Sequence, residues 1–165
     1  MQTDGYSGYD FLDIQPGVVH MGCWAHARRK FVEVTKVAGT KGGSAGVAVA
    51  TIGKLYAIEK RATERGLSLE ERVQERKMSA QPLLDEFKDW LGRKTTQVPP
   101  KSLLGKAVNY TLRQWDRLVT YIDHGHLTPD NNLAENAIRP FVVGRNYADF
   151  AIMRSSANDA EPRAA

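Results

Sequence analysis

The sequence predicts an α/β chain that is predominantly helical, with two short strands near its start and a long all-helical region in its middle. Strand-like segments flanked by glycine or proline occur only near the start, and apolar residues recur at spacings of three and four from about residue 45 onward. A chain of 165 residues, 42% apolar and 25% charged, can bury a core, which argues against disorder throughout.

The first strand is expected within residues 1–6, where it runs into a turn, and the second within residues 18–23, after the Pro16-Gly17 breaker. The second strand leads directly into a helix over about 25–38, which the glycine-rich loop 39–44 ends. An apolar stripe then predicts a helix that closes at Gly66. This stripe consists of Ala48, Ile52, Leu55, Ile58 and Ala62.

The next helix is expected to begin at Ser68, which can form a capping box with Glu71. Pro82 predicts a kink or a break before its second half, and Gly92 predicts its end. A further helix is expected over about 102–124, with Gly125 at its C-terminal cap position. Its apolar stripe consists of Leu104, Val108, Leu112, Trp115, Leu118 and Ile122.

The composition limits the surroundings and partners of the chain. The net charge of +4 favours polyanionic partners without identifying one. Cys23 is the single cysteine, so an intrachain disulfide is excluded and a cytoplasmic location is expected. We expect no signal peptide and no membrane span, because the longest weakly polar stretch is far shorter than a bilayer requires.

A polar motif lies between Thr128 and Pro140. Within a short helix, four of its side chains fall at i, i+3, i+4 and i+7 on one face, where they could hold a metal-bound phosphate. These residues are Asn132, Glu135, Asn136 and Arg139. An ordinary capping box, with Asn132 as the cap and Glu135 at the third position, is the alternative interpretation.

Asp4 directly follows the first predicted strand and precedes Gly5. A carboxylate at the carboxyl end of a strand lies where ligands and metals commonly bind in α/β sheets. Aspartates are also common in turns, so a structural role for Asp4 is the alternative.

A basic motif opens the helix predicted after the second strand. It contains His26 followed by three consecutive cations, Arg28, Arg29 and Lys30. Cations of this kind suit contacts to nucleic-acid phosphates, and the flanking Trp24 and Phe31 could stack on an unpaired base. Alternatively, the cations form a solvated face and the two aromatic residues belong to the core.

Two pairs of potential zinc ligands occur in the sequence, Cys23 with His26 and His124 with His126. Four such ligands could in principle form a structural site. The pairs are about a hundred residues apart and no further cysteine is present, so the signal is weak.

Together these motifs resemble the insertion sequence 66 family of bacterial DDE-type DNA transposases. The resemblance covers residues 1–147 and rests on several runs in the same order. In chain order they are QTDGYSGY, GCWAHARRKF, GKLYAIEK, LLDEFKDWL, PKSLLGKAVNY, QWDRLVTYIDHG and DNNLAENAIRP. GCWAHARRKF lies before the helical region and DNNLAENAIRP lies after it.

The resemblance implies a remnant of a ribonuclease-H-like fold with a large all-α insertion between Asp4 and Glu135. Residues 1–38 would form the second part of the core with the basic helix, and 39–127 the helical insertion. Residues 128–150 would supply the core helix that bears the acidic residue, followed by an irregular tail over 151–165.

The implied activity is DNA strand nicking and strand transfer by two-metal phosphoryl transfer. Two Mg²⁺ or Mn²⁺ ions would be held by carboxylates that include Asp4 and Glu135. The neighbouring Asn132, Asn136 and Arg139 would orient the metal ligands or the phosphate. His26, Arg28, Arg29 and Lys30 would contact the backbone of transposon-end and target DNA.

The chain departs from the family pattern at two places. The family's first catalytic aspartate has no counterpart in the sequence, and the residues after Gly144-Arg145-Asn146 diverge. We therefore expect a truncated chain that is inactive by itself. The alternatives are a non-catalytic DNA-binding or regulatory fragment, which could associate with full-length transposase or with itself, and a purely structural helical remnant.

Overall fold

The computed structural model describes residues 2–3, 11, 14–39 and 43–130. Within these ranges the protein is predominantly helical, as predicted. The predictions for Asp4, for the polar motif from Asn132 to Arg139 and for the tail lie outside the described residues. The described residues belong to one compact unit, and the proposed domain boundaries remain a prediction.

Two short parallel strands lie side by side near the start of the chain. Strand β1 is Gln2–Thr3 and strand β2 is Met21–Gly22. Gln2 pairs with Met21, and Thr3 pairs with Gly22. Strand β2 is shorter than the predicted 18–23, since only Met21 and Gly22 pair with β1.

Helices α1 and α2 follow the predicted pattern closely. Helix α1 is Trp24–Val37 and helix α2 is Gly43–Glu64. Every member of the predicted apolar stripe of α2 is buried. Gly66 follows α2 with a φ of 64°, a left-handed conformation that glycine adopts without strain, so its predicted role is confirmed.

Helix α3, Leu69–Glu75, begins with the predicted capping box between Ser68 and Glu71. A π-helical turn, Arg76–Ala80, joins it to helix α4, Gln81–Gln97. The predicted interruption at Pro82 takes the form of this change of helix type: the chain remains helical, and Pro82 lies in the first turn of α4, where an amide hydrogen is not needed.

Gly92 does not end α4, contrary to the prediction. The helix continues to Gln97 and stops where Val98 turns extended, with φ −127° and ψ 143°. Val98 precedes Pro99, and the proline ring disfavours a helical conformation at the residue before it. The position of the proline therefore sets the helix end.

The single helix predicted over 102–124 is interrupted. Helix α5 is Leu103–Arg113, helix α6 is Trp115–Val119, and a 3₁₀ turn covers Thr120–Asp123. Gln114 separates α5 from α6 with ψ near 4°. Gly125 follows the 3₁₀ turn without a positive φ; glycine is required there because a Cβ would collide with the carbonyl oxygen of Leu69.

The core combines the apolar stripes of the helices with a cluster of aromatic rings. Helix α1 packs against α2 and α5, and α4 packs against α5. The ring centroids of Trp24 and Trp115 lie 6.0 Å apart in an edge-to-face arrangement. No helix in the described ranges is long and apolar enough to cross a membrane.

Candidate nucleic-acid interface

The basic motif begins at the carboxyl end of β2. Cys23 follows the strand with an extended backbone and precedes the first residue of α1, so the strand leads into the helix without a loop. The backbone N–H of Trp24 donates a hydrogen bond of 2.9 Å to the carbonyl oxygen of Pro129. The start of the basic helix is thereby attached to the residue that precedes Asp130 in the polar motif.

The Trp24 side chain makes a second attachment. Its indole N–H donates to the carbonyl oxygen of Leu118 at 2.9 Å, and its ring is fully buried. Phe31 is fully buried as well. The core interpretation of these two aromatic residues is confirmed, and the prediction that they stack on an unpaired base is wrong.

The cations of the basic motif point in different directions around α1. Consecutive helical residues are rotated by roughly 100°, so Arg28, Arg29 and Lys30 cannot share one narrow face. Arg28 and Arg29 are exposed, and Lys30 is half-buried with its Nζ 4.5 Å from the centroid of the Tyr110 ring in α5. This distance is typical of a cation–π contact.

His26 is half-buried, and its Nδ1 atom is buried without a hydrogen-bond partner. A buried polar atom that lacks a partner is costly, and such atoms are uncommon in folded proteins. The imidazole therefore differs from Arg28 and Arg29, whose charged groups reach the surface.

Tyr56 in α2 lies close to the basic motif, a position that sequence reasoning missed. Its hydroxyl is buried without a hydrogen-bond partner. Burial raises the pKa of the Tyr56 phenol above its ordinary value; electrostatic interactions with Asp130 and Cys23 raise it further, and Arg28 opposes them. Tyr56 is therefore a neutral hydroxyl near residues from both motifs.

Arg76, in the π turn, is the most extensively bonded side chain of this region. Its side chain is 1% exposed, and all five of its N–H groups donate hydrogen bonds. Two go to the carboxylate of Glu59, at 2.8 and 2.7 Å. The other three go to the carbonyl oxygens of Tyr121, His124 and Leu127, at 2.7, 2.9 and 2.8 Å.

The chain that leads into the polar motif is therefore held from two directions. Arg76 binds three carbonyl groups between Tyr121 and Leu127, and Trp24 binds Leu118 and Pro129. Sequence reasoning missed Arg76 because its surrounding run, EERVQERKM, looks like a solvated helix face. A one-turn π-helix inserts an extra residue per turn, and helical-wheel patterns do not reveal it.

The structure does not test the prediction that Asp4 and Glu135 are metal ligands. Asp4 comes directly after β1 in the sequence but lies outside the described residues, as do Asn132, Glu135, Asn136 and Arg139. Among the residues that the structure does describe, no three His, Cys, Asp or Glu side chains gather as metal ligands. The zinc alternative, whose four residues are all described, therefore gains no support.

Comparison with known proteins assigns the family. The family model described as Transposase IS66 family matches residues 1–159, so this chain belongs to that family of transposases. The family resemblance predicted from the sequence is thereby confirmed.

Two curated relatives come from Sinorhizobium fredii. Uncharacterized protein y4jD is 31% identical over 156 residues, which cover 91% of this chain and 30% of the relative. Uncharacterized protein y4hP is 28% identical over 165 residues, which cover 92% of this chain and 30% of the relative. The chain thus spans under a third of the length of these relatives, and no solved structure matches it.

Proposed function

We propose that this chain is part of the catalytic region of a DDE-type DNA transposase with a ribonuclease-H-like core. One observation supports the proposal beyond family membership: the first amide of the basic helix is hydrogen-bonded to Pro129, near the start of the polar motif. A DNA-contacting helix and the segment that leads to a catalytic carboxylate must lie close together for such an enzyme to act on a bound phosphate.

Asp4 and Glu135 are the proposed carboxylate ligands of the catalytic centre. Mg²⁺ or Mn²⁺ ions bound by such oxygens would stabilise the attacking and leaving oxygens of the phosphoryl transfer. Asn132, Asn136 and Arg139 would orient the carboxylates or the phosphate through hydrogen bonds. Hydrolysis would first nick the transposon end, and the freed 3′-hydroxyl would then attack target DNA.

His26, Arg28, Arg29 and Lys30 are the proposed contacts to the DNA backbone. The exposure of Arg28 and Arg29 supports this role, since each guanidinium can reach a phosphate without disrupting the core. Contacts of this type release condensed counterions, so the affinity for DNA should fall steeply with salt. They set the position of the DNA without reading its sequence.

We propose further that the 165-residue chain does not nick DNA by itself. Its sequence has no counterpart of the first aspartate that the family resemblance implies, and an incomplete ligand set binds metal weakly and in the wrong place. DNA binding without cleavage is therefore the expected behaviour of the isolated chain, as in a DNA-binding or regulatory fragment.

Incubation of supercoiled plasmid with the purified chain and Mg²⁺ or Mn²⁺ tests this proposal. We expect no nicked product and an electrophoretic mobility shift that weakens at higher salt. Metal-dependent nicking that disappears in both Asp4→Ala and Glu135→Ala would overturn the proposed inactivity while supporting the proposed carboxylates. Absence of any shift at low salt would contradict the DNA-binding role.

A further inference from the structure

Two long stretches of the chain contain both Arg and Lys but no Asp or Glu; a third long acid-free stretch, residues 34–58, carries three Lys and no Arg. Of the first two, residues 14–32 carry three Lys or Arg, and residues 90–115 carry five. Without these eight cations, 15 Lys and Arg remain against 19 Asp and Glu, so the rest of the chain has a net charge of −4. The whole chain, in contrast, has a net charge of +4.

The stretches 14–32 and 90–115 meet in the fold. The first contains the start of α1 and the second contains all of α5, and these two helices pack against each other. The contact between Lys30 Nζ and the Tyr110 ring, at 4.5 Å from the centroid, lies at this junction. Lys30, the last cation of the basic motif, therefore lies directly beside α5.

One side of α5 presents a polar and basic row. Lys106, Asn109, Tyr110 and Arg113 fall at i, i+3, i+4 and i+7, whereas the buried residues Ala107, Val108 and Thr111 lie on the other side. These four residues form the α5 face. Its two cations, Lys106 and Arg113, are exposed and stand about 10 Å apart along the helix axis.

We propose that the α5 face binds the phosphate backbone of the same DNA that the basic motif of α1 contacts. This inference rests on the proposed function and adds a second helix to its DNA-binding surface. Duplex DNA carries one charge per roughly 1.7 Å of its axis, so several phosphates lie within reach of Lys106 and Arg113. Glu33 is exposed one turn beyond Arg29 and Lys30. Because its carboxylate repels phosphates, we expect the DNA contacts of α1 to lie in the first half of the helix.

Fluorescence anisotropy with a labelled DNA duplex, at about 50 and 200 mM salt, tests the inference. The variant Lys106→Gln/Arg113→Gln removes both cations of the α5 face. The matched control, Lys60→Gln/Arg61→Gln, removes one Lys and one Arg from exposed positions of α2 outside all three acid-free stretches. Thermal melts of both variants should coincide with that of the wild type, because none of the four side chains is buried.

We expect the α5 variant to weaken DNA binding on the order of tenfold at the lower salt and to reduce the salt-dependence slope by about 1.8. The control should stay within about twofold of the wild type. An α5 variant that behaves like the control, while Arg28→Gln/Arg29→Gln weakens binding, would overturn this inference and leave the proposed function standing.

Two further outcomes would overturn the inference. A wild-type chain that does not bind DNA at the lower salt would remove it together with the DNA-binding role on which it rests. A polyglutamate peptide that competes as well as unlabelled duplex would show that the α5 face recognises acidic chains in general rather than a DNA backbone.

Discussion

Arg28 and Arg29 in α1 and Arg76 in the π turn are the same residue type in opposite surroundings. The first two are exposed at the start of the basic helix, whereas the side chain of Arg76 is 1% exposed and donates five hydrogen bonds. An exposed guanidinium keeps its water until a phosphate replaces it. The N–H groups of a buried guanidinium are already occupied by protein acceptors. Arg76 therefore fixes the segment from Tyr121 to Leu127 and cannot contact DNA.

The physical difference lies in desolvation. A buried ion pair is held at the cost of removing two charges from water, and deletion of one partner leaves the other charge buried and uncompensated. Loss of an exposed cation leaves nothing buried behind. Substitution of a buried residue such as Arg76 should therefore lower the free energy of unfolding, whereas substitution of Arg28 or Arg29 should lower the affinity for DNA and leave stability nearly unchanged.

Arg76→Met should have the largest effect on stability. It leaves the carboxylate of Glu59, only 12% exposed, without its partner, and it leaves three carbonyl groups without donors. We expect a loss of about 3–5 kcal/mol in the free energy of unfolding, measured by urea denaturation. Lysine has three donors instead of five, so the free energy of unfolding of Arg76→Lys should lie between those of Arg76→Met and the wild type.

Lys77→Met is the matched control for Arg76→Met. Lys77 is the next residue and forms an exposed ion pair with Asp123 at 3.2 Å, with both side chains more than half exposed. Its loss should cost at most about 1 kcal/mol. Equal losses for the two variants would contradict the role assigned to Arg76.

Trp24→Phe should have the next largest effect. It keeps an aromatic ring in the core but removes the indole N–H that binds the carbonyl oxygen of Leu118. An unsatisfied buried carbonyl costs about 1–3 kcal/mol. Trp90→Phe, at a half-buried position, is the control variant. We expect it to lower the free energy of unfolding by less than Trp24→Phe in the same denaturation experiment.

The capping box of α3 gives a smaller effect that depends on pH. Ser68→Ala removes the hydroxyl that accepts the Glu71 amide at 3.2 Å, and an N-cap loss of this type costs about 1 kcal/mol. The hydrogen bond from the Ser68 backbone amide, followed by that with its side chain, lowers the pKa of the Glu71 carboxyl below its ordinary value.

A lowered pKa in the folded state means that the Glu71 contribution is present above the unfolded-state pKa of about 4.3 and is lost as the pH falls through the folded value. Glu71→Gln should therefore flatten the acid side of the stability profile below about pH 4.3. An unchanged acid limb in urea titrations of that variant would contradict the assigned hydrogen bonds.

Local patterns predicted much of the fold. The apolar stripe of α2 and the Ser68–Glu71 capping box depend on residues within a few positions of each other, and both are present. The sequence pattern predicts that Gly92 and Gly125 mark helix ends. In the structure Pro99 determines the first end, and the close approach of Leu69 explains the glycine at the second.

The candidate site likewise has features that the sequence predicts and features that it does not. The basic motif stands out in the sequence because its cations are consecutive, and the exposure of Arg28 and Arg29 agrees with it. The surroundings of Arg76 and Tyr56 depend on residues far away in the chain: Arg76 donates a hydrogen bond to Leu127, and the charge of Asp130 acts on Tyr56. No local spacing encodes such contacts.

Arg28→Gln/Arg29→Gln should have the smallest effect on stability, within about 0.5 kcal/mol, because both side chains are exposed. The most direct test of the account is the DNA affinity of this variant and of the wild type at about 50 and 200 mM salt. We predict weaker binding and a salt-dependence slope reduced by about 1.8. An unchanged slope and affinity, or a wild-type chain that does not bind DNA at all, would contradict the proposal that this part of the transposase contacts DNA through α1.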